Sequence, residues 1–396
     1  MRSLLVAVAM ASLLAMPHLF AANVIPPAKT PPATQKAPPV TIPTYPDDLV
    51  FAPGKEVKID DPQTAAGNLE LLDTDPAGHI VIYTPSDYDP ARAWPVILSY
   101  HGQKNPPSAW PFRDLTGGKG YIIIGMEYLR PACYRADPKY ETGYIQRLIT
   151  YLKGHLNVDT KMIFMGGFSQ GGWHVAGNSD RIIDSLAGVI ICSAGREAAG
   201  PALPGVRGKP VLISAGEKEE NRSSAESAVK YYTAQGAEVT FVLFPNGGHA
   251  VNTGDPVMKK WFLDNGPARQ ARLNLAAADK ARKDNHLGEA YTLYTGIVKN
   301  PLAGESKDKA AAAAKEIESE AQAKLDAAEA AITARKYTDA RKAFTAIAAA
   351  YVGATFADTA KKRLDALDHD PAILADIKQA GIDTRADALE ANALAA

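Results

Sequence analysis

Between about residues 79 and 266 short, almost unbroken apolar runs alternate with amphipathic stretches, and this alternation leaves few folds open. The runs are His79–Thr84, Trp94–Tyr100, Tyr121–Met126, Lys161–Met165, Ala187–Cys192, Pro210–Ser214 and Glu238–Phe244. Strands apolar on both faces are buried on both faces, as in parallel sheets. Helical patterns lie between them at Glu141–His155, Gly171–Ser179, Arg222–Gln235 and Pro256–Asp264. The expected fold class is therefore α/β, a mostly parallel sheet with helices on both faces.

One of these strands runs directly into Gly167-Phe168-Ser169-Gln170-Gly171, and a helical segment follows. A G-x-S-x-G match is common by chance. Between a strand and a helix it gains a mechanical meaning, because the serine then sits on a sharp turn with its oxygen raised at the strand end. Glycines two residues before and after let the flanking backbones pass. The new helix N-terminus favours negative charge beside the serine.

A serine hydroxyl needs a base to act as a nucleophile. His249 is the candidate among eight histidines, because it follows the last strand through Pro245-Asn246-Gly247-Gly248, 80 residues after Ser169. The base in turn needs an acid to fix its tautomer. The loop Ala215–Arg222 holds no aspartate, so the acid is sought among Glu217, Glu219 and Glu220, with Glu219 the candidate three residues after Gly216. An oxyanion needs two amides. Gln170 supplies one, and the loop Ser99-Tyr100-His101-Gly102-Gln103 offers that of Gln103, with His101 shaping the loop. Tyr128, Arg130 and Tyr134, in the loop after a strand's C-terminal end, are candidates to line a substrate site.

Gly166–Gly172, the His101-Gly102 loop and the chain order Ser, acid, His resemble the α/β-hydrolase superfamily. Within it the chain is similar to the phospholipase/carboxylesterase group and to secreted feruloyl-esterase-like and polyhydroxybutyrate-depolymerase-like esterases. The resemblance covers roughly residues 75–265. It implies acyl-enzyme hydrolysis of a small-molecule or polymer ester, without cofactor or metal. Glutamate at 219, where aspartate is usual, is the departure. A serine peptidase of the same fold is an alternative, as is a degenerate hydrolase acting as an envelope adaptor.

Around this region the composition changes. Arg2, the apolar run Ser3–Met16 and Ala21-Ala22 read as an export signal over residues 1–22, the fourteen-residue apolar run being too short to span a bilayer comfortably. Residues 23–47 hold eight prolines and are expected to form an extended spacer. The catalytic region is expected over 48–266, an all-helical domain over 268–367 and a tail over 368–396. In the helical part a repeat shows at an offset of 50: Ala290, Tyr294 and Ile297 match Ala340, Phe344 and Ile347, and Ala277-Ala278 match Ala327-Ala328. Each unit reads as a helical hairpin turning at Asn285-His286 or Lys336-Tyr337. This resembles tetratricopeptide-type repeats, with a longer period, and such a resemblance implies packing on the hydrolase or on a protein partner. A net charge of −1 gives no reason to expect nucleic-acid binding. Two cysteines, Cys133 and Cys192, exclude a disulfide-dense scaffold, and a bridge between them requires export.

Overall fold

The computed structural model describes residues 45–65, 77–129 and 138–395. The expected export signal, most of the proline-rich spacer, and Arg130, Cys133 and Tyr134 lie outside the described residues.

Nine strands form one sheet: β1 Glu56–Ala65, β2 Ala77–Tyr83, β3 Trp94–Tyr100, β4 Ile122–Met126, β5 Tyr128–Leu129, β6 Val158–Phe168, β7 Gly188–Cys192, β8 Pro210–Gly216 and β9 Glu238–Phe244. Their order across the sheet is β5-β1-β2-β4-β3-β6-β7-β8-β9. From β4 through β9 every neighbour is parallel, and β2, β1 and β5 add an antiparallel edge. The helices between strands are α1 Phe112–Leu115, α2 Pro138–His155, α3 Gln170–Ile182 and α4 Arg222–Ala234, with α5 Pro256–Asn265 after β9.

Strand periodicity sorts the core into two layers. Val96, Leu98, Ile122 and Ile124 face α2, α3 and α4, where Leu148, Val175 and Tyr232 are fully buried. Their sequence neighbours Ile97 and Ile123 face the opposite way, onto Phe112 of α1 and Met258 and Phe262 of α5. The sheet is thus covered on both faces, as the unbroken apolar runs require.

Two strands escape the sequence reading. β1 carries Lys58, Asp60 and Asp61 and a proline, so it lacks an apolar run. It forms because its backbone pairs with β2 over Glu56–Asp61, and its register shifts before Ala65. β5 is a two-residue pairing of Tyr128 and Leu129 with the end of β1. Upstream, Tyr45 donates to Asp61 Oδ2 at 2.8 Å, and the Pro46 carbonyl accepts from Tyr151 of α2 at 2.6 Å. The end of the proline-rich stretch is therefore docked on the sheet and α2.

The rest of the chain is helical: α6 Pro267–Lys283, α7 Leu287–Val298, α8 Ser306–Thr333, α9 Tyr337–Ala350, α10 Thr355–His369 and α11 Pro371–Ala395. The offset of 50 recurs in the backbone. Asn285 and Arg335 both take positive φ, 63° and 59°. His286 N–H donates to Ala281 O and Lys336 N–H to Ala331 O, each at 2.8 Å. Tyr294 and Phe344 fill equivalent buried places against Ala278 and Ala328. The tyrosine hydroxyl donates to Asp279 at 2.6 Å. Phe344 has no hydroxyl, and Glu329, the counterpart of Asp279, binds Arg363 of α10 instead. The segment expected as a tail after residue 367 contains the end of α10 and all of α11. Among the described residues no helix is long and apolar enough to cross a membrane.

The helical array rests on the sheet region through α6. Gln270 is buried, and its amide donates to Ala93 O at 3.0 Å and Asp159 Oδ2 at 2.6 Å. Gln270→Ala removes two part-buried hydrogen bonds, one of them to a carboxylate, which costs about 1–3 kcal/mol. The expected result is a lowered unfolding midpoint in a urea titration followed by circular dichroism.

Candidate active site

Ser169 stands between β6 and α3 with φ 55° and ψ −119°. Such a conformation costs on the order of 1–3 kcal/mol and persists only where its surroundings enforce it. Here the enforcement is close packing. A Cβ on Gly167 would lie 2.3 Å from the Gly171 backbone, and one on Gly171 would lie 2.1 Å from the Tyr100 carbonyl oxygen. The Ser169 N–H donates to Cys192 O at 2.9 Å, tying the turn to the end of β7. Gly171→Ala drives a methyl group into the main chain of β3, where no side chain can yield. We expect a loss of about 3 kcal/mol or more, checked by chemical denaturation, with little soluble active protein recovered.

The loop after β9 brings His249 back over this turn. Its Nε2 is 2.8 Å from Ser169 Oγ, and its Nδ1 is 3.2 Å from Glu219 Oε2. The imidazole is 40% exposed while the Glu219 side chain is fully buried, so the ring bridges an enclosed carboxylate and an open hydroxyl. The Glu219 and His249 loops can approach this closely because Gly216 lies directly against Gly247 and Gly248; a Cβ there would be 2.2 Å from the Gly248 carbonyl oxygen. The competing carboxylates are placed elsewhere. Glu217 accepts the Asn246 N–H at 2.8 Å, bracing the turn that carries His249, and both Glu217 and Glu220 are exposed.

On the other side lies the loop after β3. His101 is buried; its Nδ1 donates to the Gly102 carbonyl at 2.8 Å and its Nε2 meets Glu127 Oε1 at 2.9 Å. Because the peptide unit is planar and trans, holding the Gly102 carbonyl also holds the Gln103 N–H on the opposite side. Neither the Gln103 nor the Gln170 amide donates a backbone hydrogen bond to a described residue. The Gln170 amide lies in the first turn of α3, where the helix dipole adds to its attraction for negative charge.

Tyr128 does not line this site. It is fully buried, its hydroxyl donates to His101 O at 2.5 Å, and its ring packs against Tyr100, His101 and His174. Pairing of β5 with β1 turns it inward, so it supports the His101 loop from behind. His174 is likewise a buried packing residue, bound to Glu141 at 3.2 Å. Cys192 is a free thiol on β7, and burial pushes its pKa up to about 12.

Sequence reasoning missed two aromatic residues. Phe168 lies 5.3 Å from the His249 ring and 5.4 Å from that of Trp110, centroid to centroid. Trp110 is 37% exposed, a half-open apolar surface one ring removed from the imidazole. The position of Phe168 inside the G-x-S-x-G stretch was the available signal; nothing in the sequence marked Trp110.

No family model matches the chain. It is 26% identical over 124 residues to the bifunctional acetylxylan esterase/xylanase XynS20E of Neocallimastix patriciarum, a stretch covering 29% of this chain and 17% of that protein. The chain thus spans about a sixth of that relative's length. Among solved structures it is similar to the Bacillus cereus carboxylesterase, with 18% identity, TM-score 0.39, and 47% of this chain and 93% of that one covered. It is also similar to a phospholipase/carboxylesterase of Dyadobacter fermentans, with 15% identity, TM-score 0.36, and 50% and 95% covered.

Proposed function

We propose that the chain is a serine esterase that hydrolyses carboxylic esters through an acyl-enzyme, with Ser169 as nucleophile, His249 as general base and Glu219 as the acid that orients it. The observation that carries this reading is the continuous line Ser169 Oγ, His249 Nε2, His249 Nδ1, Glu219 Oε2, with contacts of 2.8 and 3.2 Å at its ends. With Nδ1–H donated to the carboxylate, Nε2 is left to accept the serine proton.

In the first half-reaction Ser169 Oγ attacks the ester carbonyl carbon while its proton passes to His249 Nε2. The carbonyl oxygen gains negative charge and is held by the Gln103 and Gln170 amides. The C–O bond to the leaving alkoxide then breaks as His249 returns the proton to it. In the second half, water attacks the acyl-Ser169 ester while His249 takes its proton, and as the C–Oγ bond breaks His249 returns that proton to Ser169 Oγ, releasing the carboxylic acid and the free serine. Buried Glu219 keeps the imidazole in one tautomer throughout and stabilises the imidazolium. The pattern of residues 1–22 supports placing the enzyme outside the cytoplasm, after that segment is removed.

The test is stopped-flow hydrolysis of p-nitrophenyl acetate. This reading expects a burst of about one p-nitrophenol per Ser169 before steady turnover. Folded protein that releases p-nitrophenol no faster than buffer overturns it.

A further inference from the structure

The two chemical partners of His249 sit on separate loops, and something must hold these loops in register to within a fraction of an ångström. One buried residue bonds the Glu219 loop and the His249 loop, and the residue before it bonds the Ser169 turn. Ser193 follows β7, is fully buried, and takes φ 51°. A non-glycine residue in the left-handed region is held there at a cost, and that cost marks a place where the surroundings dictate the backbone.

Each polar group of Ser193 reaches a different part of the site. Its N–H donates to Ser214 O of β8 at 2.8 Å, the strand that leads to Glu219. Its carbonyl accepts from Asn221 Nδ2 at 3.0 Å, two residues beyond Glu219. Its hydroxyl donates to Ala250 O at 3.2 Å, the residue directly after His249. The preceding carbonyl, that of Cys192, accepts the Ser169 N–H at 2.9 Å. Nucleophile, acid and base are therefore each within one or two residues of a bond to Cys192-Ser193. The positive φ is what allows it: an extended residue here would continue β7 and could not direct its carbonyl and hydroxyl to two different loops. The next loop residues are fixed as well, since Arg196 N–H donates to Ser224 O of α4 at 3.3 Å.

We propose that Ser193 is a positioning residue, with Asn221 as its partner, that locks the His249 loop to the Glu219 loop and both to the Ser169 turn. This rests on the esterase reading for its effect on turnover, though not for its effect on the imidazole. Ser193 touches no reacting atom. It acts by holding His249 Nδ1 opposite Glu219, and so sets both the tautomer and the distance to Ser169.

The experiment uses the full chain with Ser193→Ala, Ser193→Gly and Asn221→Ala. Ser193→Gly accepts a φ of 51° without strain, so it removes the hydroxyl even where Ser193→Ala folds poorly. Misplacing a catalytic group by about 1 Å costs up to ~100-fold, so kcat for p-nitrophenyl acetate is expected to fall about 10- to 100-fold with KM within about twofold. Because Ser193 and Asn221 act on one linkage, Ser193→Gly combined with Asn221→Ala is expected to lose less than the product of the single losses. Histidine-selective 15N spectra supply a readout that a purely structural role would not move. Wild-type His249 is expected as the Nδ1–H tautomer when neutral, and the variants as a mixture. Wild-type kcat and an unchanged His249 tautomer in Ser193→Gly overturn the proposal. A wild type inert toward esters whose His249 tautomer still depends on Ser193 instead overturns the esterase reading and leaves the positioning role standing.

Discussion

Ser169→Ala is expected to lower kcat/KM for activated esters by about 10⁴-fold or more, with the fold intact. The size follows from what is removed. A serine nucleophile acts as a unit with its base, and deleting either member forfeits nearly all covalent catalysis, leaving only what the oxyanion donors and binding supply. The substitution removes one half-exposed oxygen and its bond to His249. It leaves in place the Ser169 N–H bond to Cys192 O and the Gly167–Gly171 packing that force the turn. Alanine has no better access to φ 55° than serine, so the strain is unchanged and stability should stay within about 0.5 kcal/mol. A steady-state assay beside a urea titration checks both parts. A loss of less than about tenfold would contradict the assignment of Ser169 as nucleophile.

Glu219→Gln is the second large effect, and it separates three neighbouring carboxylates. Glutamine keeps the shape but removes the charge, and its amide NH₂ can donate towards Nδ1. That selects the tautomer with the proton on Nε2, which cannot accept from Ser169. The expected loss in kcat is about 10³- to 10⁴-fold, the scale of a triad acid replaced by its amide. Glu219→Asp withdraws the carboxylate by one methylene from a 3.2 Å contact and is expected to lose about 10- to 100-fold. Glu220→Gln should leave kcat within about twofold, since its side chain is exposed. Glu217→Gln removes the charge from the bond to the Asn246 amide and is expected to cost less than about tenfold. A ranking in which Glu217→Gln or Glu220→Gln loses more than Glu219→Gln reassigns the acid.

What could be read from the sequence follows a physical line. Strands buried on both faces announce themselves, so β3 is legible from end to end, and β4, β6, β7 and β8 to within a few residues; β9 lies at the sheet edge, is only partly buried, and is legible through its run of apolar and β-branched residues. β1 is not legible, because its stability comes from backbone pairing with β2 while its side chains include Lys58 and Asp60 at the sheet edge. The repeat was visible because equivalent buried positions demand equivalent volumes, as at Tyr294 and Phe344. The triad candidates could be named because each stands just past the end of a strand. The bonds that position them could not. Ser193 is one serine among many until its φ and its three partners are seen. Tyr128 misled for a related reason: a tyrosine after a strand's C-terminal end looks like a wall of the site, and only the pairing of β5 with β1 shows that it faces inward.

Activation of Ser169 by His249 and Glu219 is open to covalent capture. The full chain would be treated with a fluorophosphonate, digested, and the modified residue located by mass spectrometry. One adduct is expected, on the peptide containing Gly167-Phe168-Ser169, formed rapidly and lost in both Ser169→Ala and His249→Ala. Folded protein that forms no adduct at Ser169, or whose labelling survives in His249→Ala at an undiminished rate, would contradict it.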